Sequence, residues 1–237
     1  MDGYEKTAIC FDSKDWPLKV DYHRVNLIDR IPQSLREKPV RVLEFGAGMG
    51  TVIALIHAAF DVKEYVCVDN CKGVLDSLPD YVKKVHAESI DAVSKETAGL
   101  FDIIVAADVW EHLGTMETVV KYTQFCIEKL SEGGVLILSV PNIACPMMPF
   151  VFNHDITHRI RFNEATVRQM FLAAEGRAGA LEIYPRKTPH IGYVRWLGKI
   201  RDAVISATGV VMRLGFALYG LPSVKIFTAD LIVVYRA

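Results

Sequence analysis

Residues 40–51 carry the sequence VRVLEFGAGMGT, in which an apolar run leads through a glycine-rich turn into an amphipathic segment. The apolar run predicts a buried strand, and the segment that begins at Thr51 predicts a helix. Gly46, Gly48 and Gly50 allow the backbone to approach a ligand at the N-terminus of that helix. The stretch therefore predicts a nucleotide or nucleoside site where a strand passes into a helix.

The glycine spacing distinguishes two kinds of nucleotide site. A nicotinamide site has the pattern G-x-G-x-x-G, whose third glycine would fall at position 51, where this chain has Thr51. The next apolar run ends in Asp69, nineteen residues beyond Gly50, and a carboxylate there can accept hydrogen bonds from both ribose hydroxyls. An NAD-dependent oxidoreductase is therefore the more distant alternative.

Apolar runs alternate with amphipathic segments from Val40 onward, a pattern typical of a parallel sheet covered by helices. The predicted strands are 40–45, 65–68, 84–87, 101–107, 135–140, 180–184 and 231–235. The predicted helices are 18–31, 51–60, 116–130 and a segment from the N-cap Asn163 to about residue 175. The predicted fold class is α/β, with a doubly wound, mostly parallel sheet of seven strands.

Composition indicates one domain, residues 1–237. The chain has 51% hydrophobic residues, enough for a substantial core, and a net charge of -1, which gives no overall attraction to nucleic acid. Its five cysteines are odd in number and scattered, as free thiols in a reducing compartment would be. The first residues lack a secretory pattern, so a cytoplasmic protein is expected.

Several motifs occur in the order found in class I S-adenosylmethionine-dependent methyltransferases, and the chain resembles the small-molecule branch of that family from Val40 to Ala237. The motifs are VLEFGAGMG at 42–50, HAES at 86–89, FDIIVAADVWEHL at 101–113 and LSEGGVLI at 130–137. The resemblance implies a Rossmann-like methyltransferase fold, S-adenosylmethionine as the cofactor and S-adenosylhomocysteine as its product.

The resemblance also implies a set of cofactor-binding residues. Glu44 would orient the ammonium group of the cofactor, and Asp69 would bind its ribose. Residues 86–89 would cover the adenine, although His86 stands where an aspartate is common. The complete implied set is Glu44, Gly46, Ala47, Gly48, Gly50, Asp69, Asn70, Ala87, Glu88, Asp108 and Val109.

The sequence after the fourth predicted strand bears on the acceptor. Methyltransferases that act on nucleic-acid bases or amines carry an Asn or Asp followed by two prolines and an aromatic residue, whereas this chain has Asp108-Val109-Trp110-Glu111. Methylation of bases is therefore disfavoured. We expect methylation of a hydroxyl on a small molecule, a sugar derivative or a lipid-linked intermediate, and no nucleic-acid partner.

Methylation of a hydroxyl needs a group that removes its proton, and two histidines are candidates. His112 follows the fourth strand, at the edge of the sheet where ligands bind, with Glu111 beside it to orient the imidazole. His158 follows the fifth strand, in the sequence NHDITHRIRF. The alternative for each histidine is a structural role in holding a loop.

A divalent-metal site is a further alternative. It would use Asp108, Glu111, His112 and either His154 or His158, an arrangement that resembles magnesium-dependent small-RNA and quinone-pathway O-methyltransferases. The first acid here is Asp rather than Glu, so the sequence does not favour a metal, and no metal ligand is assigned.

The segment before the last strand is unusual in length and charge. Residues 185–237 contain eight Lys or Arg and two Asp, a local charge of +6. Residues 187–228 are predicted to form a helical insertion that serves as a lid, a homodimer face or a peripheral membrane contact. Residues 1–39 are predicted to form a helical lead-in. A non-catalytic partner subunit and a membrane-peripheral binding protein remain alternatives to an enzyme.

Overall fold

The structure is a computed structural model that describes residues 16–148, 152–153, 155–175, 180–188, 195–220 and 224–237. For residues 16, 195–199 and 201 only the backbone is described. The first part of the predicted lead-in, His154 and residues 189–194 and 221–223 of the predicted insertion lie outside the described residues.

The described strands form one seven-stranded sheet in the order β3-β2-β1-β4-β5-β7-β6. Strands β1 to β5 run parallel, and β7 is antiparallel to both β5 and β6. The predicted fold class is confirmed. The strands are β1 (Val40–Phe45), β2 (Val62–Asp69), β3 (Lys83–His86), β4 (Phe101–Ala107), β5 (Leu130–Pro141), β6 (Leu181–Pro185) and β7 (Asp230–Arg236).

The helices agree with the predicted ones in position and differ at their ends. The helix predicted over 18–31 ends at Asn26 and continues as two 3-10 turns, Ile28–Arg30 and Gln33–Arg36. Asn163 is the N-cap as predicted, since its side chain accepts a hydrogen bond from the backbone of Thr166. The helices are α1 (Trp16–Asn26), α2 (Thr51–Ala59), α3 (Lys72–Ser77), α4 (Ile90–Glu96), α5 (Met116–Glu128), α6 (Glu164–Ala173) and α7 (Arg195–Leu218).

Alternation along the strands places apolar side chains on both faces of the sheet. In β4, Ile104 belongs to the core on one face and Ile103 to the core on the other. The first core is closed mainly by α5 and α6, and the second by α2, α3 and the two 3-10 turns that follow α1. Burial on both faces explains why the strands are almost continuously apolar in sequence.

The strand order reverses beside β1, which lies between β2 and β4. In open α/β sheets, ligands bind at the carboxyl ends of the strands next to such a reversal. The antiparallel β7 begins at this same edge, so the connection from β6, including α7, also lies there. No helix among the described residues is both long enough and apolar enough to cross a membrane.

Helix α1 is attached to the start of that connection. The side-chain nitrogen Nδ2 of Asn26 donates to the carbonyl oxygen of Lys187 at 2.8 Å. The side-chain oxygen Oδ1 of Asn26 accepts from the backbone amide of Lys187 at 2.7 Å. Tyr22 and Arg186 both donate to one carboxylate oxygen of Asp230, at 3.0 and 2.8 Å. These bonds fix α1 over the carboxyl edge of the sheet.

Substitution of a core residue of β4 tests this packing. We expect Ile104→Ala to lower the free energy of unfolding by about 2–5 kcal/mol, because it leaves a cavity in a fully buried core. Leu172→Ala on α6, whose side chain is 72% exposed, should change it by less than about 0.5 kcal/mol. Urea denaturation of both variants measures the difference, and equal effects would contradict the assigned core.

Candidate active site

The glycine-rich turn brings the backbone after β1 close to the loop after β4. Gly46 has φ +71°, and a Cβ built on it would lie 2.5 Å from Cγ2 of Val109. Its amide donates to the carbonyl oxygen of Val68 at 2.9 Å. A side chain at position 46 would therefore be strained and would separate the two loops. Gly50, with φ +74°, is the N-cap of α2.

A cavity of about 460 Å³ lies beside this turn, at the carboxyl ends of β1, β2 and β4. Asp69, at the end of β2, is 6% exposed, and its Oδ1 accepts from the amide of Cys71 at 2.8 Å. Burial raises the pKa of Asp69 despite its bonds to backbone amides. The lining residues are Phe45, Gly46, Val68, Asp69, Asn70, Ala87, Val109, His112, Leu113, Ile156, Thr157 and Arg159.

The segment predicted to cover the adenine contributes Ala87 to the wall of this cavity. Nε2 of His86 lies 3.0 Å from the carbonyl oxygen of Asn70, which holds the exposed imidazole next to the cavity. Glu88 and Gly50 line neither this cavity nor its neighbour. Of the two residues predicted to contact the adenine, Ala87 thus lines the first cavity and Glu88 does not.

A second cavity, of about 250 Å³, shares Gly46, Val109 and His112 with the first. It also contains Ala47 and Gly48 from the turn and Glu44 from the end of β1. Glu44 is buried, and its Oε2 accepts from the Tyr65 hydroxyl at 2.6 Å. Burial raises the pKa of Glu44 to about 8, although the bond from Tyr65 opposes the rise. A cationic ammonium group bound here would favour the ionised form of Glu44, so this residue fits its predicted role of orienting the ammonium group of the cofactor.

Asp108 follows β4 with φ 55°, a conformation uncommon for residues other than glycine. Its Oδ1 accepts from the Ser139 hydroxyl at 2.7 Å, and its exposed surface faces the second cavity. The surrounding protein, and then the charge of Asp230, raise the pKa of Asp108 to about 6. The site thus holds several carboxylates whose charge is costly without a cation nearby.

Trp110 anchors the 3-10 turn Trp110–His112. Its indole is 1% exposed, its Nε1 donates to the Thr123 hydroxyl at 2.9 Å, and its ring meets Phe45 edge-on with centroids 5.6 Å apart. The next residue, Glu111, is equally buried, and its Oε2 has no hydrogen-bond partner among the described residues. Burial, and then the charge of Asp108, hold the pKa of Glu111 well above its usual range.

His112 is oriented by a chain of hydrogen bonds through Thr157 to Asp155. The Thr157 hydroxyl donates to Oδ1 of Asp155 at 2.5 Å and lies 2.8 Å from Nδ1 of His112. Because that hydroxyl has one proton, it accepts from Nδ1–H, and we assign the basic lone pair of the neutral imidazole to Nε2. Thr157, and not the predicted Glu111, is thus the side chain that contacts Nδ1.

His158 lies next to His112, with ring centroids 4.9 Å apart. Its Nε2 is 3.8 Å from Oδ2 of Asp155, and its buried Nδ1 has no hydrogen-bond partner among the described residues. The same loop is attached to the 3-10 turn, because the amide of Arg159 donates to the carbonyl oxygen of Glu111 at 2.7 Å. The loop therefore brings both candidate bases to one place.

The residues of the metal alternative come together only in part. Ligand atoms of Glu111, His112 and His158 lie within 4.8 Å of one another, whereas Asp108 is not in this group and His154 lies outside the described residues. One carboxylate and two imidazoles form a donor set that divalent transition metals accept. The unpartnered oxygen of Glu111 also fits a cation.

Sequence reasoning missed two residues of α1. Lys19 and His23 both line the second cavity, and Nδ1 of His23 lies 2.6 Å from the Thr51 hydroxyl at the start of α2. Burial, and then the charge of Lys19, lower the pKa of His23 to about 4, so its ring is neutral at pH 7. The only available signal was the spacing of four residues, which places both on one face of the predicted helix.

Comparison with known proteins identifies the family. A family model described as a methyltransferase domain, Methyltransf_23, matches residues 20–187, and the chain belongs to this family. The human mitochondrial ubiquinone biosynthesis O-methyltransferase is 29% identical over an alignment of 135 positions, and the match covers 53% of this chain and 36% of that protein. The matched region thus spans only about a third of that relative.

Solved structures agree in fold. An S-adenosylmethionine-dependent methyltransferase from Archaeoglobus fulgidus superposes with a TM-score of 0.64 at 14% identity, with 100% of both chains covered. N-methyltransferase NodS from Bradyrhizobium japonicum WM9, in complex with S-adenosylhomocysteine, gives a TM-score of 0.59 at 14% identity and covers 98% of this chain and 96% of its own.

Family, fold and site together make this chain an S-adenosylmethionine-dependent class I methyltransferase. The resemblance noted in the sequence is confirmed, as are the class of enzyme and its cofactor. The oxidoreductase alternative is excluded by the same family match.

Removal of the Asp69 carboxylate tests the ribose assignment. We expect Asp69→Ala to weaken binding of S-adenosylhomocysteine more than about tenfold, because two charge-assisted hydrogen bonds are lost. Asp91→Ala, which removes an exposed carboxylate of α4, should leave the affinity unchanged. Isothermal titration calorimetry measures both, and an unchanged dissociation constant for Asp69→Ala would remove the assignment.

Proposed function

We propose that the chain methylates a hydroxyl group of a small molecule, a sugar derivative or a lipid-linked acceptor. The observation that carries this proposal is the neutral, hydrogen-bonded His112 in the cavity that borders the glycine-rich turn. Burial, and then the nearby His158, lower the pKa of His112 below its usual value, so the imidazole is ready to accept a proton at pH 7.

The cofactor supplies an electrophilic methyl group on a sulfonium, and the protein has to align an acceptor and remove its proton. The Thr157 hydroxyl accepts from Nδ1–H of His112, and we assign Nε2 as the base. Asp155 then stabilises the imidazolium that forms, through Thr157, because hydrogen bonds from Thr157 hold the pKa of Asp155 low despite its partial burial.

The second cavity supports a small polar acceptor group. Besides His112 and His158 it contains Lys19 and His23 from α1, which can donate to acceptor oxygens. The name of the human ubiquinone-pathway relative supports an oxygen as the methylated atom. The sequence departs from the methyltransferases of bases and amines at Val109 and Trp110, which also favours oxygen.

Methyl transfer from labelled cofactor tests this function. The purified chain is incubated with S-adenosylmethionine labelled in its methyl group and with a metabolite extract freed of protein and nucleic acid, separated into aqueous and lipid fractions. We expect label in a small organic product whose fragmentation places the methyl on oxygen. Transfer to nitrogen or carbon would contradict O-methylation.

Substitution of His112 tests the proposed base. His112→Ala should lower turnover by about 10²–10⁴-fold, the usual contribution of a general base, and should change the affinity for S-adenosylhomocysteine less than about twofold. His57→Gln, at a histidine that lines neither cavity, should retain turnover. Full activity of His112→Ala would show that this histidine is not the base.

A metal-assisted variant of the same reaction is the second candidate, and the unpartnered buried oxygen of Glu111 favours it. Glu111, His112 and His158 would hold the ion, which would lower the pKa of an acceptor hydroxyl. A bound cation would also favour the ionised form of Glu111, whose pKa burial otherwise raises.

Metal removal separates the two candidates. If the ion is required, EDTA abolishes turnover and added Mg²⁺, Mn²⁺ or Zn²⁺ restores it. Direct titration then shows one Mn²⁺ or Zn²⁺ site that Glu111→Gln weakens by about 10-fold or more. Full turnover after EDTA, with no measurable ion binding, would exclude the metal-assisted variant and keep the metal-free reaction with a histidine base.

A further inference from the structure

Helix α7 presents two different faces. The inner face packs on the loop before β7, where a Cβ on Gly209 would lie 3.6 Å from Phe227 and the rings of Phe216 and Phe227 lie 6.3 Å apart. The outer face consists of exposed apolar residues at alternating spacings of four and three. Its members are Ile200, Val204, Ala207, Val211, Leu214 and Leu218.

This outer face covers the described length of the helix and is strongly exposed. The exposed fraction is 50% at Ile200 and rises to 60% at Leu214 and 85% at Leu218. Tyr219, directly after the helix, is 83% exposed. Isolated exposed apolar residues are ordinary, but a continuous row of them from Ile200 to Leu218 indicates a binding surface.

A groove with an excess of positive charge lies along the inner side of α7. Residues 185–237 have a net charge of +6, whereas the other residues have -7. A groove of about 1000 Å³ between α7, α1 and the loop before β7 has Arg24, Arg186, Lys187, Arg213 and Lys225 among its lining residues, against Asp21 and Asp202. The apolar surface is therefore next to a groove with a net positive charge.

The positive charge near α7 distinguishes between two partners for the outer face, a second copy of the chain and a lipid bilayer. A second copy of the chain would bring two positively charged grooves close together, which opposes association. In a bilayer with anionic headgroups, the acyl chains can bury the row of apolar side chains. The headgroups carry the charge opposite to that of the lysines and arginines. We propose that α7 lies in the plane of an anionic lipid bilayer, with its outer face buried among the acyl chains.

This docking places the reaction edge near the bilayer. Helix α7 connects β6 to β7 at the carboxyl edge of the sheet, where both cavities of the active site also lie. The inference does not depend on the proposed acceptor, and it can be tested with protein that has neither cofactor nor acceptor. Its failure is therefore distinguishable from failure of the proposed function.

Vesicle sedimentation tests the apolar contact. The full chain is mixed with vesicles of phosphatidylcholine, or of phosphatidylcholine and phosphatidylglycerol, and the bound fraction is measured. We expect binding to the anionic vesicles only, and Leu214→Asp should lower the partition coefficient by about tenfold or more. Leu172→Asp, at a leucine on α6 that is 72% exposed against 60% for Leu214, should bind as the native chain does.

Removal of charge tests the electrostatic part. Lys187→Gln and Lys225→Gln should each lower partition by about fivefold, corresponding to about 1 kcal/mol per charge, and added salt should lower it further. Lys63→Gln and Lys95→Gln, exposed lysines on β2 and α4, should have little effect. Unchanged binding of S-adenosylhomocysteine shows that each variant is folded.

Three results would overturn the proposal. The first is equal binding of the native chain to neutral and anionic vesicles, or binding to neither. The second is full binding by Leu214→Asp. The third is a native dimer, measured by light scattering, that Leu214→Asp converts to a monomer, because the outer face would then be an interface between two copies.

Discussion

The close contact between the backbone of Gly46 and the side chain of Val109 determines the geometry of the active site. It brings the turn after β1 against the loop after β4, and each loop carries part of the site. Glu44 lies in β1 just before the turn, and the loop continues into the 3-10 turn that holds His112. Trp110, buried against Phe45, stabilises that loop from below. Fixed loops are what a displacement reaction requires, since its rate depends on the alignment of two reactants.

The charges of the site complement this geometry. Four carboxylates around the two cavities, those of Glu44, Asp69, Asp108 and Glu111, have pKa values raised by burial. Ionised together, and without a cation, they would repel one another and lose their hydration. A methyl donor with an ammonium and a sulfonium group brings the missing positive charge. The site is therefore organised electrostatically for a cationic ligand before that ligand binds.

The sequence predicted the sheet well, because burial on both faces makes the strands recognisable apolar runs and the glycine-rich turn has few alternatives. It also placed Asp69 and His112 at the correct edge of the sheet. It did not predict the partner of His112, because Thr157 is 45 residues distant in sequence and its contact depends on how the loop after β5 folds back. Lys19 and His23 were missed for the same reason, since only the packing of α1 shows which cavity their face borders.

The paired hydrogen bonds between Asn26 and Lys187 join two segments that are far apart in sequence. Helix α1 lines the second cavity with Lys19 and His23, and Lys187 begins the segment that leads to α7. Helix α1 and the segment that begins at Lys187 therefore form one structural unit, although they are far apart in the sequence. A chimera that exchanges residues 187–228 for the corresponding segment of another methyltransferase would have to bring a matching α1 with it, or the second cavity would lose the side that α1 forms.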